Sequence, residues 1–397
     1  MARYRLRDTF VKAAQGHEGC LGVVGRRPIF GVRRVVRRSF LATWCAALLL
    51  TGAPWQAQAQ IPTNEELDEA RLWLGANPPD GTNRPARRQR MDVIQQAADA
   101  FPASSATPYY LAWEADPAQA DAMESNGILY YFSRAVDAAL ADIRNTRVDS
   151  GLAVWNIYNM GHIFKTPDAC FAIDLLARDA QIFEPDLDFL LTTHEHEDHH
   201  YPLLTEAMIA AGKPVVTSWV PGSILVDPAA DPTAHPEFFF GDIRVKVDIG
   251  DHNEAIPEMR NNMLMYQVDC GAAALGATLY HSGDGSNEYK MVPDEDVDLF
   301  MVHVSCAMAP ESAIAQVQPD YTFISHVLEL NHEIGVNRLS YDYAFSTIAN
   351  TPVDEAAVLT WGERWLLPGT VITMIPEPAT FTILGLGGLV LLLRRGR

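Results

Sequence analysis

Between two threonines and a tyrosine the chain reads Thr192-Thr193-His194-Glu195-His196-Glu197-Asp198-His199-His200-Tyr201. His194, His196 and His199 offer neutral nitrogen and Asp198 offers anionic oxygen, the donors that hold zinc and similar divalent ions. In an extended backbone successive side chains alternate faces, so His194, His196 and Asp198 share parity and can converge on one side. His199 can turn in where the extended segment gives way to a helix. A lone His-x-His would read as a solvated polar turn. Four donors directly after the apolar run Phe189-Leu190-Leu191 read as a metal site at the end of a buried strand.

The elements that must position this cluster follow from the periodicity around it. From Gly151 onward, β-branched and aromatic runs at 154–158, 170–173, 215–217, 243–249, 263–268, 277–280, 299–304 and 321–326 read as strands, with a closing strand over 357–361. Helices are expected over 201–211 and 341–349. Residues 60–150 are of a different kind. Thr63-Asn64-Glu65-Glu66 has the form of a capping box, followed by Leu67, Ala70 and Leu74 at helical spacing. A Pro/Gly/Asn-rich break covers 75–85. A second helical pattern covers 88–100, and a third carries an apolar stripe through Ile128, Tyr131, Phe132, Ala135, Val136, Ala139, Leu140 and Ile143. This reads as a helical extension packed on the strand-rich domain, with the mouth of the site as one place for it to sit. Tyr109, Tyr110, Trp113, Tyr130 and Tyr131 read as its core.

The His-x-His-x-Asp-His run after a strand resembles the signature of the metallo-β-lactamase superfamily. That resemblance implies an α+β fold, a four-layer αβ/βα sandwich with a metal site at one edge of its two sheets. It covers residues 151–368 and assigns further residues. Gly250-Asp251-His252 falls where the family places its third motif. Tyr280-His281-Ser282-Gly283-Asp284 resembles the strand-Gly-Asp motif whose carboxylate bridges two metals. Tyr321-Thr322-Phe323-Ile324-Ser325-His326 matches the fifth. His194, His196 and His252 are then expected to hold one metal, Asp198, His199 and His326 a second, and Asp284 to bridge. Asp174, at the end of the 170–173 strand, takes the role of a carboxylate that hydrogen-bonds the metal-site loop. His162, His281, His303 and His332 are placed outside the ligand set.

The cofactors implied are two divalent metal ions, zinc first, with manganese and iron also fitting. Two ions sharing a water bring its pKa toward neutrality, which implies a metal-dependent hydrolase acting on a small molecule. Asp198 is the expected catalytic side chain, able to shuttle a proton. The Asn-Met-Gly turn at 159–161 and Tyr-His-Ser-Gly-Asp point to the branch containing ascorbate-6-phosphate lactonase. A lactone or carboxylic ester is therefore the first substrate class and a phosphodiester the second. His196 in place of a Glu, with no flavin domain following, excludes a flavodiiron oxidoreductase. Two other classes stay open: a mononuclear iron dioxygenase acting on a thiol-type substrate, and a catalytically silent envelope protein of the same fold.

Charge and the two ends bear on partners and location. The chain carries a formal net charge of −20. Residues 1–38 hold ten of its 30 basic residues against only Asp8 and Glu18, and residues 376–397 hold three more against Glu377. What lies between has 17 basic and 47 acidic side chains. Such a body repels phosphate backbones, so nucleic acid is not an expected partner. Residues 1–59 read as an export signal: a basic stretch, Arg37-Arg38-Ser39-Phe40-Leu41, an apolar run and Ala57-Gln58-Ala59. The Arg-Arg-x-Phe-Leu core resembles a twin-arginine signal. Residues 369–397 contain Pro376-Glu377-Pro378, a short apolar stretch Ala379 to Leu393 and terminal arginines, an order that resembles a PEP-CTERM sorting tail. Together they imply an exported protein of the periplasm, cell envelope or extracellular matrix. Its partners would be the export machinery and an exosortase-like enzyme, with membrane contact through the tail before processing. Cys170, Cys270 and Cys306, an odd number beyond the leader, give no disulfide framework and read as small buried residues.

Overall fold

The computed structural model describes residues 61–101, 127–228, 230–305, 308–335, 337–349 and 355–375. The expectations for the leader, Tyr109, Tyr110, Trp113, Cys306 and the tail from Pro376 onward lie outside the described residues. Among the described residues no helix is long and apolar enough to cross a membrane.

Three helices open the described chain. α1 (Asn64–Ala76) starts with the expected capping box: Glu66 N–H donates to Thr63 Oγ1 at 3.2 Å and Thr63 N–H donates to Glu66 Oε2 at 2.8 Å. α2 (Arg84–Asp99) begins four residues earlier than its apolar periodicity, because Pro85 sits well in the first turn, where no N–H is needed. α3 (Gly127–Asn145) buries the stripe from Ile128 to Ile143. It lies against β2 (Ala153–Tyr158), where Phe132, Tyr158 and Trp361 meet with ring centroids 4.9–5.2 Å apart. Tyr131 is buried and Tyr130 donates its hydroxyl to Asp68 at 2.6 Å.

The rest forms two seven-stranded sheets. The first has the order β15-β2-β3-β4-β5-β6-β7 and the second β14-β13-β12-β11-β10-β9-β8. In the first, β2, β3 (Gly161–Lys165) and β4 (Cys170–Ile173) are antiparallel neighbours. β4, β5 (Phe189–Leu191), β6 (Val215–Thr217) and β7 (Ile224–Leu225) are parallel. The second repeats this plan. β8 (Glu237–Phe240), β9 (Ile243–Gly250), β10 (Met263–Asp269) and β11 (Thr278–His281) run antiparallel. β11, β12 (Leu299–His303), β13 (Tyr321–Ser325) and β14 (Glu355–Ala357) run parallel.

One core lies between the sheets, joining Val154, Phe171 and Leu191 of the first to Val247, Leu264 and Met301 of the second. Phe164, Phe171, Phe189 and Phe240 stack in a row, centroids 4.4–5.0 Å apart. Each fully buried ring of this kind contributes roughly 1.5–3 kcal/mol by leaving water. The outer faces carry helices: α1–α3 on the first sheet, α5 (Pro310–Val317) and α6 (Tyr341–Ala349) on the second, all in one buried cluster. The four-layer αβ/βα sandwich expected from the resemblance is therefore what the chain adopts. α4 (Pro202–Ala210) follows the His cluster, within the range read from sequence.

Two expectations are corrected. Residues 357–361 are not one closing strand. The chain leaves the second sheet at Ala357, crosses, and joins the first as β15 (Glu363–Leu366), antiparallel to β2. Asn156 Nδ2 holds the crossing by donating to Leu359 O and Thr360 O, and Thr360 N–H donates to Glu363 Oε2. Val358, Leu359, Thr360 and Trp361 are all buried, so the crossing has the apolar run of a strand covered on both faces without pairing in either sheet. Nor does the body stop at residue 368. β16 (Val371–Met374) pairs with β1 (Thr146–Ser150), a strand within the stretch read as helical.

Candidate metal centre

Strand direction explains where the site forms. β2, β4 and β5 point the same way, as do β9, β11, β12 and β13. Their carboxyl ends release Asn159, Asp174 and the His run from the first sheet. From the second come His252, Asp284, His303 and His326. The structure brings all seven sequence-assigned ligands together in two groups. In each, one donor atom per residue lies within 4.8 Å of the others: His194, His196, His252 and Asp284 in one; Asp198, His199, His326 and Asp284 in the other. Asp284 belongs to both. Its Oδ1 is 2.9 Å from His199 Nε2 and its Oδ2 is 3.3 Å from His252 Nε2.

The run does not deliver its donors by strand parity. His199 N–H and His200 N–H both donate to His196 O at 3.0 Å, closing a turn after His196. Asp198 is carried away from His194 and His196 and arrives with His199 in the second group.

Asp174 locks this loop. Its Oδ1 accepts from Thr193 N–H at 2.7 Å, and its Oδ2 accepts from Thr193 Oγ1 at 2.7 Å and His199 Nδ1 at 2.8 Å. The Thr193 hydroxyl proton being spent, its oxygen accepts from His194 Nδ1 at 3.0 Å. Both rings thus carry the proton on Nδ1 and turn a lone pair on Nε2 toward the centre. Asp284 arrives on a tight turn. Gly283 has φ +50°, and a Cβ there would lie 2.7 Å from Met263 Cε and 3.0 Å from Thr193 Cβ, so only glycine fits.

Asn159, at the tip of the β2–β3 hairpin, reaches the second group twice. Its Nδ2 donates to Asp198 O at 3.0 Å and approaches Asp198 Oδ2 at 3.4 Å, while its carbonyl accepts from His326 N–H at 3.1 Å. Asn159, Asp174 and His326 all have positive φ, 57°, 49° and 63°. Such backbone conformations persist only where surrounding bonds over-determine them. Sequence reasoning marks the 159–161 turn as approaching the site without choosing Asn159. The available signal is an Asn at a two-strand turn, where it tolerates the left-handed region.

The excluded histidines divide. His162 Nδ1 and His281 Nε2 both donate to Met160 O, at 2.8 and 2.9 Å, clasping the hairpin of one sheet to β11 of the other. Burial, with His281 beside it, pushes the His162 pKa down to about 3. His332 Nδ1 lies 2.8 Å from Glu329 Oε2, at the edge of the site. His303 is inside it, with Nε2 3.7 Å from Asp284 Oδ1 and its ring 4.0 Å from that of His326. Cys170 and Cys270 are buried free thiols, and burial pushes Cys170 up to about 12.

The donor set fits divalent metal. His194 Nε2 and His199 Nε2 are buried without a hydrogen-bond partner. With its proton on Nδ1, His199 faces Asp284 Oδ1 lone pair to lone pair at 2.9 Å, a contact that a cation between them would satisfy. Without one, a second proton must serve. Burial lowers the His199 pKa, but Asp284, Asp198 and Asp174 outweigh it and hold it well above the usual range. Burial raises Asp284, yet His199, His303 and His326 hold it well below the usual carboxylate range. Burial and His252 keep His196 near 4, a neutral ligand at any ordinary pH.

No protein-family model and no curated protein sequence matches the chain. Solved structures do resemble it at low identity. A possible metal-dependent hydrolase from Veillonella parvula is 14% identical over 55% of this chain and 100% of its own, with a TM-score of 0.42. Igni18, a metallo hydrolase from Ignicoccus hospitalis, is 11% identical over 57% of this chain and 99% of its own, TM-score 0.39. CmlA, a diiron β-hydroxylase from Streptomyces venezuelae, is 11% identical over 56% of this chain and 54% of its own, TM-score 0.39. Likeness of shape at this level says nothing about substrate.

Proposed function

We propose that the chain is a metal-dependent hydrolase that cleaves a lactone or other carboxylic ester with two divalent ions, zinc first among them. The observation that carries this is the shared carboxylate, Asp284, set between two sets of three donors. His194, His196 and His252 would hold one ion and Asp198, His199 and His326 the other. When bound, such a pair supplies an acidified water and polarises the substrate's carbonyl.

The chain's own residues do the rest. Asp174 and Thr193 fix which nitrogen of His194 and His199 faces inward. Asn159 holds Asp198 and His326 in place. Asp198, its Oδ2 3.1 Å from His326 Nε2, is the carboxylate placed to take a proton from the attacking water and pass it to the leaving oxygen. The carboxylic ester is placed first on the resemblance of the 159–161 turn and Tyr280-His281-Ser282-Gly283-Asp284, with a phosphodiester second.

The test is metal analysis of the purified chain together with a screen of lactone, carboxylic ester, β-lactam, thioester and phosphodiester substrates. Two ions per chain with ester turnover is the expected result. One iron per chain with oxygen consumption would replace this reading with the dioxygenase. Export and sorting rest on Arg37-Arg38 and Pro376-Glu377-Pro378. Changing both arginines to lysine should block export by the twin-arginine route, and unchanged export would count against it.

A further inference from the structure

His303 ends β12, directly beside Ser325 in the register and next to both Asp284 and His326. The ligand assignment leaves it unused. Ser305 N–H donates to its Nδ1 at 2.8 Å. A backbone amide has only a proton to offer, so Nδ1 must carry a lone pair. That contact excludes the doubly protonated ring and places the single proton on Nε2. Nε2 is the atom that faces Asp284 Oδ1, at 3.7 Å, too far for a hydrogen bond. A protonated Nε2 has no lone pair for a metal. The ring is also held from the side by His326, at a centroid distance of 4.0 Å and a tilt of 33°. The result is a fixed, neutral N–H donor aimed at the centre the two donor sets share.

We propose that His303 is a catalytic residue that donates its Nε2–H to the substrate's carbonyl oxygen. The proposal rests on the hydrolase reading and deepens it. When water oxygen bonds to the carbonyl carbon, the C=O π pair moves onto the oxygen, and a preplaced donor stabilises that charge. No proton leaves His303 in this step; the hydrogen bond shortens as charge develops.

The zinc-loaded protein decides this in three measurements. Nitrogen-15 NMR of histidine-labelled protein should show His303 protonated on Nε2 and bare on Nδ1; a proton on Nδ1, or on both, overturns the proposal. His303→Phe keeps a ring against His326 and removes the donor, while His303→Gln restores an N–H near the same place. H303F should keep its zinc and lose about 10²-fold in kcat with little change in KM, and H303Q should recover at least tenfold of that loss. A fall of less than tenfold in H303F, loss of zinc from it, or no recovery in H303Q overturns the proposal. Acetate, which presents the same oxygen chemistry without turnover, should bind zinc-loaded wild type about tenfold tighter than H303F, and equal binding overturns it. If the wild type hydrolyses no ester, the hydrolase reading falls by itself, and the tautomer and acetate binding still decide the donor.

Discussion

The two donor sets are built from similar residues and embedded very differently. Asp198, His199 and His326 are all buried, with side chains 11%, 0% and 3% exposed. They are backed by Asp174 and Asn159, with three left-handed backbone positions among these neighbours. In the other set only His194 is buried; His196 and His252 are partly open, His252 by 18%. The inner set is held by bonds to the protein around it. The outer set borders solvent. The difference gives rigidity to one donor set and solvent access to the other, and among the described residues Asp284 alone belongs to both.

The largest expected effect comes from removing what the sets share. Asp284→Ala should lower occupancy at both positions and cut ester turnover on the order of 10⁴-fold, at or above the range for a positioned acid or base alone. Full metal content in that variant would refute the shared role.

Next come the ligands that belong to one set. Asp198→Ala should empty the inner position and reduce turnover roughly 10²–10⁴-fold. His196→Ala should leave the inner ion in place and release the outer one to a chelator first. Metal counted per chain during a chelator titration separates the two, and identical release curves would erase the distinction between the sets.

A smaller change tests the backing. Asp174→Asn keeps the shape but loses the charge that fixes the His199 proton. It should weaken inner-ion affinity about 10–100-fold and leave the outer position nearly untouched. Competition with a zinc-binding dye measures both.

Acidity offers a gentler probe of the zinc-free protein. Burial holds His200 near 4, burial and His252 hold His196 near 4, and burial and His281 hold His162 near 3. An unfolded His titrates near 6.5, so below that value the unfolded chain binds more protons than the folded one. These groups contribute stability that is present above about pH 6.5 and lost as pH falls through 4 and then 3. His199, whose folded pKa is raised, contributes in the opposite sense, below about 6.5. His194, His281 and His303 are lowered as well and His332 is raised, so six lowered histidines against two raised should make the melting temperature drop from pH 7 to pH 5, and a flat or rising profile toward acid would contradict buried neutral histidines. The smallest effect should come from His332→Ala, which should keep both metals and most activity, since that ring meets Glu329 at the rim.

The clustering of these residues is legible in the sequence because strand-end histidines follow strongly patterned strands. Leu299 to Val304 or Tyr321 to Ile324 can only be read one way, and the resemblance then orders the ends. What sequence did not reveal depended on contacts across the sandwich. Asn159 matters because β2 ends beside β13 from the other sheet, and His303 because Ser305 chooses its tautomer. The crossing at 358–361 shows the same limit from the other side. Its unbroken burial imitates a strand covered on both faces, and the side chain of Asn156, about two hundred residues earlier in sequence, shows that it is a bridge between sheets.

The seam position of the centre also bears on the order of assembly. The first sheet supplies four of the seven donors and the second three, and the clasp at Met160 O and the bond from Leu264 N–H to Thr193 O form only once the sheets have met. Such contacts between distant parts of the chain are slow to form. A metal ion added to a refolding mixture should therefore find no complete cage until late. Zinc should slow unfolding far more than it speeds refolding, so that the bound ion acts as a latch on a finished molecule.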